Sequence, residues 1–164
     1  MNGTRTLILM RHGKSGYPPA TRDHDRPLAE RGDRQAALAG QWMSDEGLQA
    51  DAVLCSTSTR TRQTLERTGV RAPVTYVEDI YGGDADDILE AIRIHAPADA
   101  ATLLVVGHEP GMPQTALTLD PSGFIDRFPT SAYAVLTVSQ PWERLGMTPD
   151  PDAHLVGVRI PREE

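Results

Sequence analysis

One cysteine, Cys55, is all the thiol chemistry that this 164-residue sequence offers. No internal disulfide can form, and a reducing cytosol suits the chain. No apolar stretch approaches the roughly 20 residues that a membrane helix needs. The apolar run near the N-terminus is too short for a secretory signal and lacks a small-residue cleavage site. Lysine- or arginine-rich runs are also missing, and 16 basic against 23 acidic residues leave a net charge of −7. That balance argues against nucleic acid and against an anionic membrane surface as partners, and makes any cluster of arginines a local feature. Internal repeats, low-complexity tracts and linkers are absent as well. The composition, 39% hydrophobic and 24% charged, is ordinary for a soluble globular protein. The expectation is one acidic, cytoplasmic domain over residues 1–164, with its core from about 5 to 160.

What is present begins with Leu7-Ile8-Leu9-Met10-Arg11-His12-Gly13. Four apolar residues read as a buried strand that delivers an arginine, a histidine and a glycine at its exit. Leu103-Leu104-Val105-Val106-Gly107-His108 does the same. Ligands of open α/β sheets bind outside the carboxyl ends of the strands, so two such exits point to one pocket. Between them the pattern predicts a loop over Gly13–Asp25 and a helix from Leu28 to Met43, with Pro27 in its first turn and Gly47 as its stop. Strands follow at Ala52–Cys55 and Pro73–Val77, with a helix between them to about Arg67. Asp84 reads as the cap of a helix to about His95, with Asp86 and Asp87 in its first turn. Thr102–Val106 is the fourth strand. The next helix, Gly111 to about Leu119, is expected to be interrupted early by Pro113. Ala132–Val138 alternates as a fifth strand, Leu155–Ile160 is an edge strand, and the tail from Pro161 is expected to be loose. This βαβα alternation predicts an α/β fold, a three-layer α/β/α sandwich on a mostly parallel central sheet.

Four residues at strand exits carry the chemistry: Arg11 and His12, Arg60, and His108. Guanidiniums match phosphate oxygens bidentately. A neutral imidazole, with an ordinary pKa of about 6.5, can attack phosphorus near neutral pH. Phosphoryl transfer is the expected reaction, with the protein positioning groups and neutralising charge.

Arg11-His12-Gly13 resembles the RHG motif of the histidine phosphatase superfamily, which includes the cofactor-dependent phosphoglycerate mutases. Ser56 to Thr64 resembles its second motif, with Thr57 and Thr61 in place of the usual proline and alanine, and Gly107-His108 resembles the third. Asp25-Arg26-Pro27-Leu28, Arg31-Gly32 and Phe128-Pro129-Thr130, with the short length, are most like SixA-type phosphohistidine phosphatases. The resemblance spans roughly Thr6 to Val138 and implies a phosphoglycerate mutase-like fold. It makes His12 the nucleophile that forms a phosphohistidine intermediate. Arg11, Arg60 and His108 would hold the phosphoryl oxygens, with Arg26 as a further phosphate contact. No metal or cofactor is implied, because arginine and imidazole supply the charge. Many members carry an acidic proton donor where this chain has Ile80-Tyr81-Gly82; Glu78, Asp79 and Asp84 are the nearby carboxylates that could substitute. A phosphoramidate nitrogen can be protonated before it departs, so a missing donor favours phosphohistidine, borne by a signalling protein. The alternatives are a broad small-molecule phosphomonoesterase and a non-catalytic phosphohistidine-binding module.

Other candidates fail on spacing or context. The cysteine-phosphatase loop would put its arginine at position 61, where Thr61 stands, so Cys55 reads as a small buried residue. Asp84-Ala85-Asp86 opens a helix instead of following an apolar strand, unlike the aspartate-based phosphatases. Asp23-His24-Asp25 reads as a polar loop, not a metal cluster. His24, His95 and His154 read as solvated, and Arg62 and Arg67 as lying on an exposed helix face. The attacking nitrogen of His12 depends on a hydrogen bond that the sequence does not specify.

Overall fold

In the computed structural model, which describes residues 3–162, six strands form one sheet. They are β1 (Arg5–Arg11), β2 (Ala52–Ser56), β3 (Val74–Val77), β4 (Thr102–Gly107), β5 (Tyr133–Val138) and β6 (His154–Arg159). Their spatial order is β3-β2-β4-β1-β5-β6. The first four run parallel, while β5 and β6 add an antiparallel edge. Four helices, α1 (Glu30–Asp45), α2 (Thr59–Thr68), α3 (Ala85–His95) and α4 (Gly111–Leu119), cover the sheet.

The continuous apolar runs are explained by burial on both faces. Leu7 and Leu9 point into a core shared with Ile88, Ile92, Met112 and Ala116 of α3 and α4. Ile8 and Met10 point into the other core, against Ala39, Met43 and Leu65 of α1 and α2. The layers are therefore α/β/α, as the alternation predicts. All four β1 side chains from Leu7 to Met10 are fully buried. At roughly 1.5–3 kcal/mol for each large apolar side chain, they anchor the strand that carries Arg11 and His12.

Three local expectations need correction. Helix α1 starts at Glu30, with Ala29 as its N-cap, not at Leu28. Pro27 to Ala29 is instead drawn against the first loop: Ser15 and Leu28 form an antiparallel bridge, and the Ala29 amide donates to the Lys14 carbonyl at 2.8 Å. Pro113 does not interrupt α4, because it occupies the helix's first turn, where a missing N–H leaves no bond unmade. The tail is not loose where it is described: Pro161 is buried, and Arg162 Nη1 donates to the Thr130 carbonyl at 3.1 Å. Gly47 does follow α1 with φ +72°, and β6 lies at the sheet edge.

Candidate active site

Register brings the two histidine-bearing exits together. Arg11 of β1 stands opposite Gly107 of β4, so His12 and His108 leave adjacent parallel strands at the same level. The His12 amide donates to the Gly107 carbonyl at 3.0 Å, and the Ser131 amide to the His12 carbonyl at 3.0 Å. The next residue is pinned by a bond from the Gly13 amide to Thr64 Oγ1 of α2 at 2.8 Å. On the opposite side α1 comes so close that a Cβ at Gly32 would lie 2.1 Å from the Lys14 carbonyl oxygen. Only glycine permits that approach.

His12 Nδ1 lies 2.7 Å from the Gly13 carbonyl oxygen. A carbonyl only accepts, so Nδ1 carries the proton and the lone pair is on Nε2. Arg60 Nε donates toward that Nε2 at 3.4 Å. Burial, above all, depresses the His12 pKa to about 3; the Gly13 bond opposes this, and His108, Arg60 and Arg11 add to it. The His108 ring lies 5.3 Å from that of His12, and its Nε2 is 2.8 Å from Ser56 Oγ at the end of β2. Burial and then Arg60 lower the His108 pKa to about 4. Both imidazoles are therefore neutral at physiological pH.

The arginines come from separate elements, and Arg60 and Arg26 share Asp23 as a partner. Arg60 enters from the first turn of α2, where Ser58 caps the helix by accepting from the Thr61 amide. Arg11 Nη1 donates to the Phe128 carbonyl at 3.0 Å, while its buried Nε has no partner among the described residues. Such a donor favours an anion beside it. Arg26 donates from Nη1 to Ser15 Oγ at 2.8 Å and from Nε to Asp23 Oδ1 at 3.1 Å. Its guanidinium lies 4.3 Å from the Tyr17 ring centroid.

The segment Asp23–Asp25 is not an idle polar loop. It forms a 3-10 turn folded over Arg60, whose Nη1 donates to the Asp23 carbonyl at 2.7 Å and Nη2 to Asp23 Oδ2 at 3.1 Å. The Tyr81 hydroxyl donates to the same Oδ2 at 2.5 Å. These bonds, Tyr81's first, hold the Asp23 pKa at about 2 against partial burial. His24 is half-buried, not solvated as expected. Its Nε2 lies 2.9 Å from Thr57 Oγ1, and its ring meets Tyr81 edge-on at 4.8 Å. Sequence reasoning missed Asp23, His24 and Tyr81 as site residues. The one usable signal was Tyr81's place in the slot after β3. Among the described residues there is no group of three or more histidine, cysteine or acidic side chains fit to hold a metal.

Asp84, Glu78 and Asp79 are the candidate carboxylates. Asp84 caps α3 in a reciprocal capping box with Asp87. Glu78 and Asp79 are exposed in the 3-10 turn Glu78–Ile80. Among the described residues, none of the three forms a hydrogen bond or ion pair with Arg11, His12, Arg60 or His108. Cys55 is fully buried, and burial raises its thiol pKa to about 12. His95 and His154 are exposed, as are Arg62 and Arg67.

The chain is similar to several known proteins. The profile of the Histidine phosphatase superfamily (branch 1) matches residues 7–81. An uncharacterized protein of Mycobacterium tuberculosis is 45% identical over 163 residues, covering 93% of this chain and 100% of that protein. The solved structure of a provisionally assigned phosphohistidine phosphatase SixA from Nakamurella multipartitia has 42% identity and a TM-score of 0.87, covering 97% of each chain. Phosphohistidine phosphatase SixA of Escherichia coli is 26% identical over 139 residues, covering 82% of this chain and 86% of that one.

Proposed function

The chain belongs to the histidine phosphatase superfamily, and from that premise we propose that it hydrolyses protein phosphohistidine through a covalent intermediate on His12. The observation that carries the reading is the His12 tautomer. With Nδ1–H held by Gly13, the Nε2 lone pair faces the pocket that Arg60 lines. A neutral imidazole so placed is a nucleophile without prior deprotonation.

In the first step the Nε2–phosphorus bond forms as the substrate's P–N bond breaks, and the departing imidazole leaves carrying a proton acquired beforehand. In the second, water attacks the phosphohistidine, inorganic phosphate leaves and Nε2 regains its lone pair. Arg11, Arg60 and His108 hold the phosphoryl oxygens, with Arg26 as a further contact, so charge that builds in the transition state meets fixed donors. These side chains supply the charge that a divalent ion provides in other phosphatases. Having Asp84 committed to a helix end supports a P–N bond as the substrate bond, since nitrogen needs less help to leave than an alkoxide. Residues 1–164 act as one phosphatase domain with its core at about 5–160. Among the described residues no helix is long and apolar enough to cross a membrane. A lone buried thiol supports a reducing, cytoplasmic setting, and the substrate in this reading is a phosphohistidine-bearing signalling protein.

The test is a side-by-side measurement of initial rates on a phosphohistidine peptide and on p-nitrophenyl phosphate in EDTA. The peptide should be preferred, and His12→Ala should lower turnover by ~10⁴-fold or more. Equal or better turnover of the ester would indicate a general phosphomonoesterase with an acid not identified above. Activity surviving in His12→Ala would remove His12 as the nucleophile.

A further inference from the structure

Phosphoryl capture accounts for His12, His108 and the guanidiniums but leaves Tyr81 and His24 without a task. Yet four rings form one continuous arc. His12 to His108 is 5.3 Å, His108 to Tyr81 is 5.4 Å and Tyr81 to His24 is 4.8 Å, with interplanar angles of 59°, 77° and 79°. The Arg60 guanidinium lies 5.9 Å from the Tyr81 ring centroid and donates toward His12 Nε2 at the far end of the arc. Any phosphoryl group bonded to Nε2 and held by Arg60 therefore sits beside this aromatic wall.

The wall is firmly mounted. Tyr81 is followed by Gly82 at φ +72°, which turns the chain back toward the sheet. A Cβ at Gly83 would lie 2.4 Å from the Asp79 carbonyl oxygen, and one at Gly111 2.6 Å from that of Gly83. The turn is thus packed against its own start and against the first residue of α4. The phenol hydroxyl is fixed on Asp23, and the ring remains half-buried. A rigid, partly open ring beside the reaction centre is fit to receive another ring.

Resting on the reading above, we infer that Tyr81 is the residue that selects the leaving group, its ring packing against the imidazole of a phosphohistidine substrate. In-line displacement sends the leaving group away from His12 on the far side of phosphorus. Aromatic rings favour edge-to-face or offset contacts with centroids ~4.5–7 Å apart, the spacing already repeated along the arc. A substrate imidazole extends that series by one ring. A sugar hydroxyl offers no such face, so the same wall discriminates against it.

The experiment compares the full-length wild type with Tyr81→Ala and Tyr81→Phe on two P–N substrates. One is a phosphohistidine peptide; the other is phosphoramidate, which has the same bond to phosphorus and no ring. Tyr81→Ala should reduce the ratio of kcat/KM for peptide over phosphoramidate by about tenfold, chiefly through KM of the peptide. Tyr81→Phe should keep the wild-type ratio, since the ring remains and only the bond to Asp23 is lost. If Tyr81→Ala slows both substrates in proportion, the residue only scaffolds Arg60 and the inference fails. It also fails if Tyr81→Phe loses the ratio as fully as Tyr81→Ala. A wild-type protein that hydrolyses phosphoramidate but not the peptide overturns the substrate class itself, a pattern distinct from an unchanged ratio.

Discussion

Gly13 lends its carbonyl to His12 Nδ1, so a residue without a side chain settles which nitrogen of His12 carries the lone pair. This could not be read from the sequence, because the bond depends on how the chain turns after β1 and not on which residue follows. The motif residues themselves were legible: Arg11 ends β1, His12 and His108 follow β1 and β4 in register, and Arg60 lies in the first turn of the helix after β2. His24 and Asp23 were not legible, since their partners Thr57, Arg60 and Tyr81 lie far along the chain. Cys55 was read correctly as a small core residue, and its burial has a measurable result. With its pKa raised to about 12, the folded protein should not react with a disulfide reagent such as Ellman's at pH 8, while the urea-unfolded chain should react at once. Cys55→Ala should retain phosphatase activity. Rapid labelling of the native thiol coupled to loss of turnover would reopen a thiol mechanism.

At the scale of elements, helix ends decide several assignments. Asp84 was a candidate acid on proximity in sequence, yet its carboxylate accepts from the Asp87 amide at 3.1 Å while the Asp84 amide donates to the Asp87 carboxylate at 3.0 Å. Replacing Asp84 with Ala should therefore destabilise the fold by about 1 kcal/mol, read as a shift of the urea midpoint, with turnover within about twofold of wild type. A loss of hundredfold or more at unchanged stability would restore Asp84 as the proton donor. The start of α1 was misread for a related reason. Pro27 is an acceptable first-turn residue, but the carbonyls and amides of residues 14–16 claim the segment from 27 to 29 first. Local pattern states what a segment tolerates, and the tertiary partner decides between tolerated states. Where no partner competes, as at Asp84 capping α3 or Gly47 ending α1, pattern and structure agree.

At the scale of the whole molecule, the buried imidazoles set an acid limit. His12 and His108 titrate at about 3 and about 4 in the folded protein, against an ordinary value of 6.5. Below 6.5 the unfolded chain binds protons that the folded chain refuses, so stability falls as pH drops from 6.5 toward 4 and is insensitive to these groups above 6.5. Each histidine contributes at most about 1.4 kcal/mol per pH unit in that window, up to about 4 kcal/mol for both between pH 7 and 5. Urea denaturation at those two pH values should show the drop, and His12→Gln should lessen it. Equal stability at pH 7 and 5 would mean that both rings are hydrated enough to protonate in place. The position of β1 has another consequence. It precedes the other five described strands in sequence, yet its neighbours are β4 and β5, with Thr6 beside Thr102 and Arg5 beside Val138. During synthesis the strand that carries His12 waits unpaired until β4 has emerged, the kind of long-range closure that slows folding. A nascent or truncated fragment ending before β4 lacks both neighbours of β1 and cannot hold His12 in register. The candidate site therefore assembles only after β4 has been made, and a chain interrupted between β1 and β4 carries the motif without the site.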